Sequence, residues 1–374
     1  MMRCSKSGVE KIPRDWRAEQ LQNIAMVVPG GRLNLTKNEH YQEEGTLAFS
    51  AAGPDGFVAV QEFSGEAVVL SSIGARCGKA FFADGEWTTL ANTYVIQANE
   101  QRYSNRFLWY TINDEDYWHR SGTAQPFISP HDIRHAWVPA PSLQEQHKIV
   151  VILDGISQSI ANYQKQVRLL KRAKKGFLEK LRAGAFFSKK PERERLKGLT
   201  KVTMGETLIS HQLTGSGIPV FSADTKDKPW GYTDNSKRRY PKGTIVISAR
   251  GSIGFPRLPH FDTYTSTQTT LTVYPCERVR PEFMHLWLQT VDYKVLTAVQ
   301  AVPMLTVATM APLLIPVPSL LEQDEIIQRF QVIEKSLSVT KKLIKNHQEL
   351  LRGMKNELLY GERRLGFQLP LFTV

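Results

Sequence analysis

The side chains of this chain that could do chemistry are mainly cationic and lie beside aromatic and amide residues. Between residues 226 and 257, lysines and arginines alternate with Trp230, Tyr232 and Tyr240, and Asn235 is close by. Lysine and arginine bind phosphates, arginine can read guanine, and asparagine or glutamine can read adenine in the major groove. The predicted DNA contacts are Arg76, Lys79, Arg102, Arg106, Lys171, Lys174, Lys175, Lys226, Lys228, Arg238, Arg239, Lys242, Arg250 and Gln268.

A second concentration of positive charge lies between residues 163 and 197, where 13 Lys and Arg stand against 3 Glu, a net of +10. A charged helix face is most often only solvated. A face held by salt bridges would carry both signs, so this one-sided run favours contact with phosphates or with an acidic partner. Phosphate contacts would make affinity depend on salt without conveying base identity.

No catalytic, metal-binding or cofactor-binding motif is recognisable in the sequence. The dinucleotide, Walker A, H-E-x-x-H and G-x-S-x-G patterns are absent. His131 and His135 are four residues apart, but no third metal ligand accompanies them. The sequence therefore predicts a chain without a catalytic centre, a metal site or a cofactor of its own.

Length and composition limit the class of protein. The 374 residues carry a net charge of +12, and 41% of them are hydrophobic, enough for folded cores. Cys4, Cys77 and Cys276 are too far apart in sequence for a disulfide framework, which favours a reduced, cytoplasmic protein. No signal-peptide core precedes Trp16, and the longest apolar run, Met310–Leu321, is only 12 residues long, so no membrane association is predicted.

An internal repeat with an offset of 177 residues organises the chain. The run P-A-P-S-L-Q-E-Q at Pro139–Gln146 recurs as P-V-P-S-L-L-E-Q at Pro316–Gln323, and matches continue without a gap over residues 126–184 of the first copy. Upstream, the similarity is weaker and the offsets vary from 172 to 178. The chain is therefore predicted to alternate a variable unit with a similar helix, twice.

The repeated segments are predicted to be long helices that pair in an antiparallel coiled coil. Apolar residues recur at alternating steps of four and three in both copies, and each helix of about 40 residues would be roughly 60 Å long. Packing of each helix on its own domain alone is the open alternative. The predicted seam consists of Ile149, Leu153, Ile156, Ile160, Val167, Leu170, Leu181, Ile326, Phe330, Ile333, Leu337, Ile344, Leu351 and Leu358.

The segments before the helices are predicted to be mixed domains in which short strands precede a helix, at Tyr103–Trp118 in the first and Glu282–Thr297 in the second. The fold class is therefore α+β: two mixed α/β domains alternate with two long helices in a pseudo-twofold internal repeat. The predicted boundaries are 1–140 for the first domain, 141–195 for the first helix, 196–317 for the second domain, 318–362 for the second helix and 363–374 for a tail.

This arrangement resembles the specificity subunit of type I restriction–modification systems over residues 12–362. The two P-x-P-x-L-x-E-Q runs carry the resemblance, together with Ile12–Trp16, which is similar to the family's I-P-x-x-W motif, and the turn Ser248–Gly254. The turn at Ser71–Arg76 is less regular, and the second unit has no clear I-P-x-x-W motif.

The resemblance implies that each mixed domain is a target recognition domain that reads one half of an asymmetric, two-part site in double-stranded DNA. The helices would hold the two readers apart as a ruler and dock two methyltransferase subunits, and through them the motor–nuclease subunits of restriction. The family's specificity subunit catalyses no reaction, because the S-adenosylmethionine and ATP chemistry belongs to its partners.

Two other functions stay open from the residues alone. A coiled-coil scaffold that binds acidic proteins through its basic helix would give no sequence-dependent reading of DNA. A DNA enzyme with an unrecognised active site would turn over as the purified chain with cofactor and DNA.

Overall fold

The computed structural model describes residues 12–225, 227–297 and 303–365, which form two compact units. The first unit comprises residues up to 163 and from 343 onward, and the second comprises residues 164–342. Each unit thus contains one mixed domain and a stretch of each long helix.

The mixed domain of the first unit begins with strand β1 and ends with strand β10, and the first long helix follows it. The strands are β1 (Arg17–Gln20), β2 (Ala25–Pro29), β3 (Thr46–Ser50), β4 (Gly53–Val58), β5 (Phe63–Ser64), β6 (Ala67–Ser71), β7 (Ala80–Ala83), β8 (Glu86–Thr89), β9 (Thr93–Ala98) and β10 (Trp137–Ala140). The helices are α1 (Leu21–Ile24), α2 (Lys37–His40), α3 (Asn105–Ile112), α4 (Pro130–Arg134) and the long α5 (Leu143–Arg182).

The mixed domain of the second unit also contains ten strands before the second long helix. The strands are β11 (Glu192–Arg195), β12 (Thr200–Met204), β13 (Ile218–Phe221), β14 (Gly231–Thr233), β15 (Tyr240–Pro241), β16 (Ile245–Ser248), β17 (Pro256–Arg257), β18 (Thr263–Ser266), β19 (Thr270–Pro275) and β20 (Leu314–Val317). The helices are α6 (Leu196–Leu199), α7 (Pro281–Gln289), α8 (Tyr293–Thr297), α9 (Val307–Met310) and the long α10 (Leu320–Leu359).

The two mixed domains have the same sheet topology. One four-stranded sheet has the order β2-β9-β6-β7 in the first and β12-β19-β16-β17 in the second. The other has the order β4-β3-β8-β5 in the first and β14-β13-β18-β15 in the second, and its central pair is parallel in both. A short antiparallel pair, β1-β10 or β11-β20, brings the start of each domain beside the residues that lead into its long helix. The predicted α+β fold with an internal repeat is confirmed.

The predicted domain helices are shorter than the sequence suggested. The helix predicted over Tyr103–Trp118 ends at Ile112, where the Asn113 side chain accepts a hydrogen bond from the Ala80 amide, and a 3₁₀ turn follows. The helix predicted over Glu282–Thr297 is split into α7 and α8, and the Asp292 carboxylate accepts the amide of Lys294 at the break. The bond from Asp292 is local and competes with a continuous helix, whereas the bond from Asn113 ties the end of α3 to β7.

The long helices pack antiparallel to each other within each unit. In the first unit, Ile149 and Leu153 of α5 share a core with Leu358 of α10, and farther along α5 the Tyr163 ring meets the His347 ring at 5.1 Å. In the second unit, the rings of Phe177 and Phe330 lie 5.3 Å apart. The residue numbers of the contacts in α10 therefore decrease as those in α5 increase, as in an antiparallel pair. Every residue of the predicted seam is buried or partly buried.

The polar residues that interrupt the seam have partners. Lys174 forms an ion pair of 2.8 Å with Glu334, and the Thr340 hydroxyl donates to the Ser336 carbonyl at 2.8 Å. His347 is bonded through Nδ1 to the Leu343 carbonyl at 2.9 Å. Because each polar group is satisfied, these interruptions do not leave an uncompensated group in the interface.

Candidate nucleic-acid interface

The turn between β6 and β7 presents cations at one end of the first domain. Arg76 and Lys79 are both exposed there, and Arg76 Nη1 donates to the Ala52 carbonyl in the β3–β4 turn at 2.6 Å. Gly74 and Gly78 have φ values of 96° and 94°, which other residues rarely adopt. The glycines thus shape a tight loop that keeps both cations in solvent.

The turn between β16 and β17 occupies the same place in the topology of the second domain. Arg250 is exposed in it, and Arg250 Nε approaches the Met304 sulfur at 3.0 Å. Gly251 and Gly254 have φ values of 69° and 77°. A Cβ on Gly251 would touch nothing, so glycine is required there by the backbone conformation and not by crowding.

A basic groove of about 560 Å³ lies on the second domain, away from this turn. Among the described residues no carboxylate lines it. Its cations come from β12 and from the turn before β15, and its hydroxyls come from β12, β15 and β19. The lining residues are Lys201, Thr203, Lys237, Arg238, Arg239, Tyr240, Pro241, Thr244, Thr272 and Tyr274.

Glu206 holds the basic turn that borders this groove. Its carboxylate accepts hydrogen bonds from the backbone amides of Lys237 at 2.9 Å and Arg238 at 3.4 Å, from the Thr265 hydroxyl at 2.7 Å, and from Ser236. Burial by itself would raise the pKa of Glu206, but these hydrogen bonds favour the charged form and lower it. The ionised carboxylate of Glu206 therefore holds the turn that carries Lys237 and Arg238 in place.

Arg106, predicted as a DNA contact, is instead engaged inside the first unit. Its Nε and Nη2 donate to one oxygen of Asp154 on α5, at 2.9 and 2.7 Å, and its guanidinium lies 4.4 Å from the centre of the Phe82 ring and 4.7 Å from that of Trp109. The Tyr110 hydroxyl donates to the same oxygen at 2.6 Å. These contacts place Arg106 in the junction between α3 and α5, and its contact with DNA stays a prediction.

Lys174 and Gln268 have similar internal roles. Lys174 belongs to the helix pair, where its ammonium lies 5.4 Å from the centre of the Phe330 ring and pairs with Glu334. The side-chain oxygen of Gln268 accepts the Leu208 amide at 3.2 Å, so it positions the segment after β12. A contact of either residue with DNA stays a prediction.

The other predicted cations are distributed over several surfaces. Arg238 and Arg239 line the basic groove, while Lys242 pairs with Asp262 at 3.7 Å. Lys171 and Lys175 are exposed on α5, Lys228 is exposed before β14, and Arg102 Nη1 reaches the Asn23 carbonyl at 3.4 Å. Lys226 lies outside the described residues. The structure therefore brings only some of these candidates together.

Sequence reasoning missed Lys201 as a groove residue. Lys201 and Thr203 are on the same face of β12, because side chains two residues apart in a strand point the same way. Across the ladder they pair with Tyr274 and Thr272 of β19. The alternation of Lys201, Val202 and Thr203 was the available signal, but the partner strand that completes the groove is about 70 residues away.

A buried glutamine joins each mixed domain to its long helix. Gln146 accepts the Ser104 amide at the start of α3, at 2.8 Å, and donates to the Pro141 carbonyl at 3.0 Å. Gln323 accepts the Arg280 amide at the start of α7, at 2.7 Å, and donates to the Pro318 carbonyl at 2.9 Å. Both glutamines are fully buried. The final residue of the P-x-P-x-L-x-E-Q run therefore serves the same purpose in both units.

Within the described residues, no group of three or more His, Cys, Asp or Glu side chains could hold a metal ion. Over the same ranges, no helix combines the length and the apolar character needed to cross a membrane.

Comparisons with known proteins agree on one family. The profile described as "Type I restriction modification DNA specificity domain" matches residues 16–171 and 189–347. The MjaX specificity subunit of a type I restriction enzyme from Methanocaldococcus jannaschii is 22% identical, over 96% of both chains, and the MjaVIII specificity subunit from the same organism is 20% identical, over 95% of this chain and 94% of that one.

Solved structures show the same fold. The S subunit of the type I restriction–modification system from M. genitalium superposes with a TM-score of 0.68 at 16% identity, covering 94% of this chain and 97% of that one. A chain from a study of complex assembly and conformational transition in the type I system gives a TM-score of 0.58 at 16% identity, covering 94% of this chain and 99% of that one.

Proposed function

Because the chain belongs to the family of type I restriction–modification specificity domains, whose role is to recognise a DNA site, we propose that it reads a bipartite, asymmetric site with one recognition domain for each half. The observation that carries this proposal is that the two mixed domains share one topology but have different surfaces. Both domains place exposed arginine on the turn after the third strand of the same sheet, at Arg76 and Arg250, while the surrounding loops differ in length and residue type.

We propose the turns with Arg76, Lys79 and Arg250 as the reading elements. Their cations are exposed, and glycines with positive φ fix the loop that carries them. Arginine can bond to guanine in the major groove, where each base pair has its own pattern of donors and acceptors. The exposed Lys171 and Lys175 of α5 are proposed to contact phosphates. The domain boundaries given above stay predictions.

The long helices are proposed to act as the spacer between the two half-sites. Each is continuous over 40 residues, which corresponds to roughly 60 Å of helix. The antiparallel packing within each unit and the buried Gln146 and Gln323 would transmit the helix length to the readers, because they fix each domain to its helix.

DNA and methyltransferase subunits are the partners expected of a type I complex. We propose that two methyltransferase subunits dock on the helices, with the motor–nuclease subunits bound through them, and that this chain itself catalyses no reaction. The second unit offers a suitable surface: Leu321, Val332 and Val339 of α10 are 70%, 66% and 51% exposed. Their spacings of 11 and 7 residues place them along one side of a helix. The alternative is a scaffold that binds acidic proteins without reading DNA.

The decisive experiment maps DNA methylation in cells that contain the methyltransferase with and without this chain. We expect a two-part methylated site only when the chain is present. Replacement of residues 12–140 by the recognition domain of another specificity subunit should change one half of the site and leave the other half and the spacer unchanged. Methylation without any sequence preference would favour the scaffold.

Removal of seven residues from each long helix tests the ruler separately. Deletion of 157–163 together with 334–340 takes out one heptad at equivalent positions of the repeat. We expect the spacer between the half-sites to shorten while both half-sequences stay the same. A changed half-sequence with an unchanged spacer would contradict the ruler.

A further inference from the structure

We propose that the basic groove of the second unit is a binding site for DNA backbone phosphates that the first unit lacks. The second recognition domain would then hold DNA by a contact additional to its reading turn. The inference rests on the proposed function, because it takes duplex DNA as the ligand.

The groove has the chemistry of a phosphate site. Lys201, Lys237 and Arg239 contribute cations, and within the described residues no ion pair neutralises their side chains. Threonine and tyrosine hydroxyls line the rest of the groove, and the Tyr240 hydroxyl has no hydrogen-bond partner in the described part of the chain. Lysine, arginine and hydroxyl donors are the groups by which proteins bind backbone phosphates.

Internal hydrogen bonds hold the backbone of the basic turn that borders the groove. Glu206 bonds to the backbone of Lys237 and Arg238, and Arg238 Nη1 donates to the Met204 carbonyl at 2.5 Å. The turn is therefore tied to the residues that follow β12. A turn held in place loses less conformational entropy on binding than a free loop would.

The corresponding face of the first unit cannot bind phosphates in this way. By strand register, Met26 occupies the position of Lys201, Gln97 that of Tyr274, and Ala67 that of Thr244. Glu66 lies beside this face, because its carbonyl accepts the Gln97 side-chain amide at 3.3 Å, and burial together with the charges of Asp84 and Glu100 raises the pKa of Glu66. An anionic backbone would be repelled there.

The groove is also separate from the reading turn of its own domain. It is lined by Thr244, immediately before β16, whereas Arg250 follows the end of that strand. The strand β16, which lies between them, has 4 residues and is about 13 Å long. Since adjacent phosphates along one strand of DNA are much closer than that, the groove would contact phosphates beyond those beside the reading turn.

The test uses the full chain assembled with its methyltransferase subunits, and duplex DNA that carries the mapped site. The groove variant combines Lys201→Gln, Lys237→Gln and Arg239→Gln. A matched variant, Arg278→Gln with Lys294→Gln and Lys335→Gln, removes the same charge from exposed residues outside the groove. We expect the groove variant to bind at least about tenfold more weakly and to lower the slope of log K against log salt by about 2 to 3.

The methylated sequence should stay the same in the groove variant, because phosphate contacts carry no base information. An unchanged salt slope, or an equal loss of DNA affinity in the matched variant, would overturn the inference. The proposed function would still hold if the wild type reads its site. Weaker assembly with the methyltransferase at an unchanged salt slope would make the groove a protein contact and would also overturn it. If the wild type reads no site, the proposed function itself fails.

Discussion

The two units differ in the side chains that lie between the mixed domain and its long helix. In the first unit, Arg106 and Tyr110 of α3 converge on Asp154 of α5 and fill the junction. In the second unit, Gln331 of α10 holds the position equivalent to Asp154, and it lines a cavity of about 340 Å³ together with His285 and Glu334. The first junction is closed by charge-assisted hydrogen bonds, and the second is open.

The buried glutamines, by contrast, are the same in both units. Gln146 and Gln323 satisfy backbone groups that the fold itself buries, so no other residue type of that size could replace them without leaving a donor or acceptor unpaired. Residues at the junction that contact solvent are less restricted, because water can satisfy their polar groups. The comparison shows that the two copies share the residues that satisfy buried backbone groups and differ in the residues that contact solvent.

The largest effect is expected from removal of the shared glutamines. Gln146→Leu and Gln323→Leu each leave buried backbone groups without partners, and a single such group costs about 1–3 kcal/mol. We expect each variant to lower the free energy of unfolding of its own unit by about 3 kcal/mol, measured by urea unfolding with hydrogen exchange of α3 or α7. Exposed Gln144→Leu is the control. A loss in only one unit would break the equivalence of the two junctions.

The next effect separates the closed junction from the open one. Asp154→Ala removes three hydrogen bonds, and we expect a loss of about 1–2 kcal/mol from the first unit, an amount reduced by the partial exposure of the carboxylate. Gln331→Ala at the equivalent position should change the second unit by less than about 0.5 kcal/mol. Burial and Asp154 also raise the pKa of Tyr110 to about 12. In Asp154→Ala that pKa should fall, as spectrophotometric titration can show.

A smaller effect comes from copying the basic face into the first unit. Met26→Lys with Gln97→Tyr places the side chains of Lys201 and Tyr274 at the equivalent positions. We expect the slope of log K against log salt for DNA binding to become steeper by about 1. Leu33→Lys, in the loop after β2, is the control for added charge. Equal changes in the two variants would mean that total charge, and not position, controls binding.

The smallest effect is a contrast in pH dependence between two glutamates. The pKa of Glu206 is lowered, so its stabilising contribution is complete above the unfolded value near 4.5 and is lost as the pH falls through the folded pKa. Burial and the charges of Asp84 and Glu100 raise the pKa of Glu66, so its ionised form is less stable in the folded chain than in the unfolded chain. We expect Glu206→Gln to destabilise the second unit and Glu66→Gln to stabilise the first, each by about 0.5 kcal/mol at pH 7 and less at pH 3. Changes of the same sign would contradict this contrast.

The sequence by itself determined the repeat, the two long helices and the alternation of domain and helix. Those features are local or periodic: the heptad spacing persists over each helix, and the P-x-P-x-L-x-E-Q run appears at the start of both. The family resemblance followed from their order, and the family comparison confirmed it. The charge of the second domain was also visible, because its lysines and arginines are close together in the chain.

Only the tertiary structure decided which of the candidate side chains are engaged by other parts of the protein. Arg106, Lys174 and Gln268 are engaged by partners that are 48, 160 and 60 residues away in the chain. Lys201 joins a groove because β12 pairs with β19, and Glu206 fixes a turn 31 residues further on. A cation's role depends on which groups surround it in space, and long-range strand pairing and helix packing, which single residues do not encode, determine those neighbours.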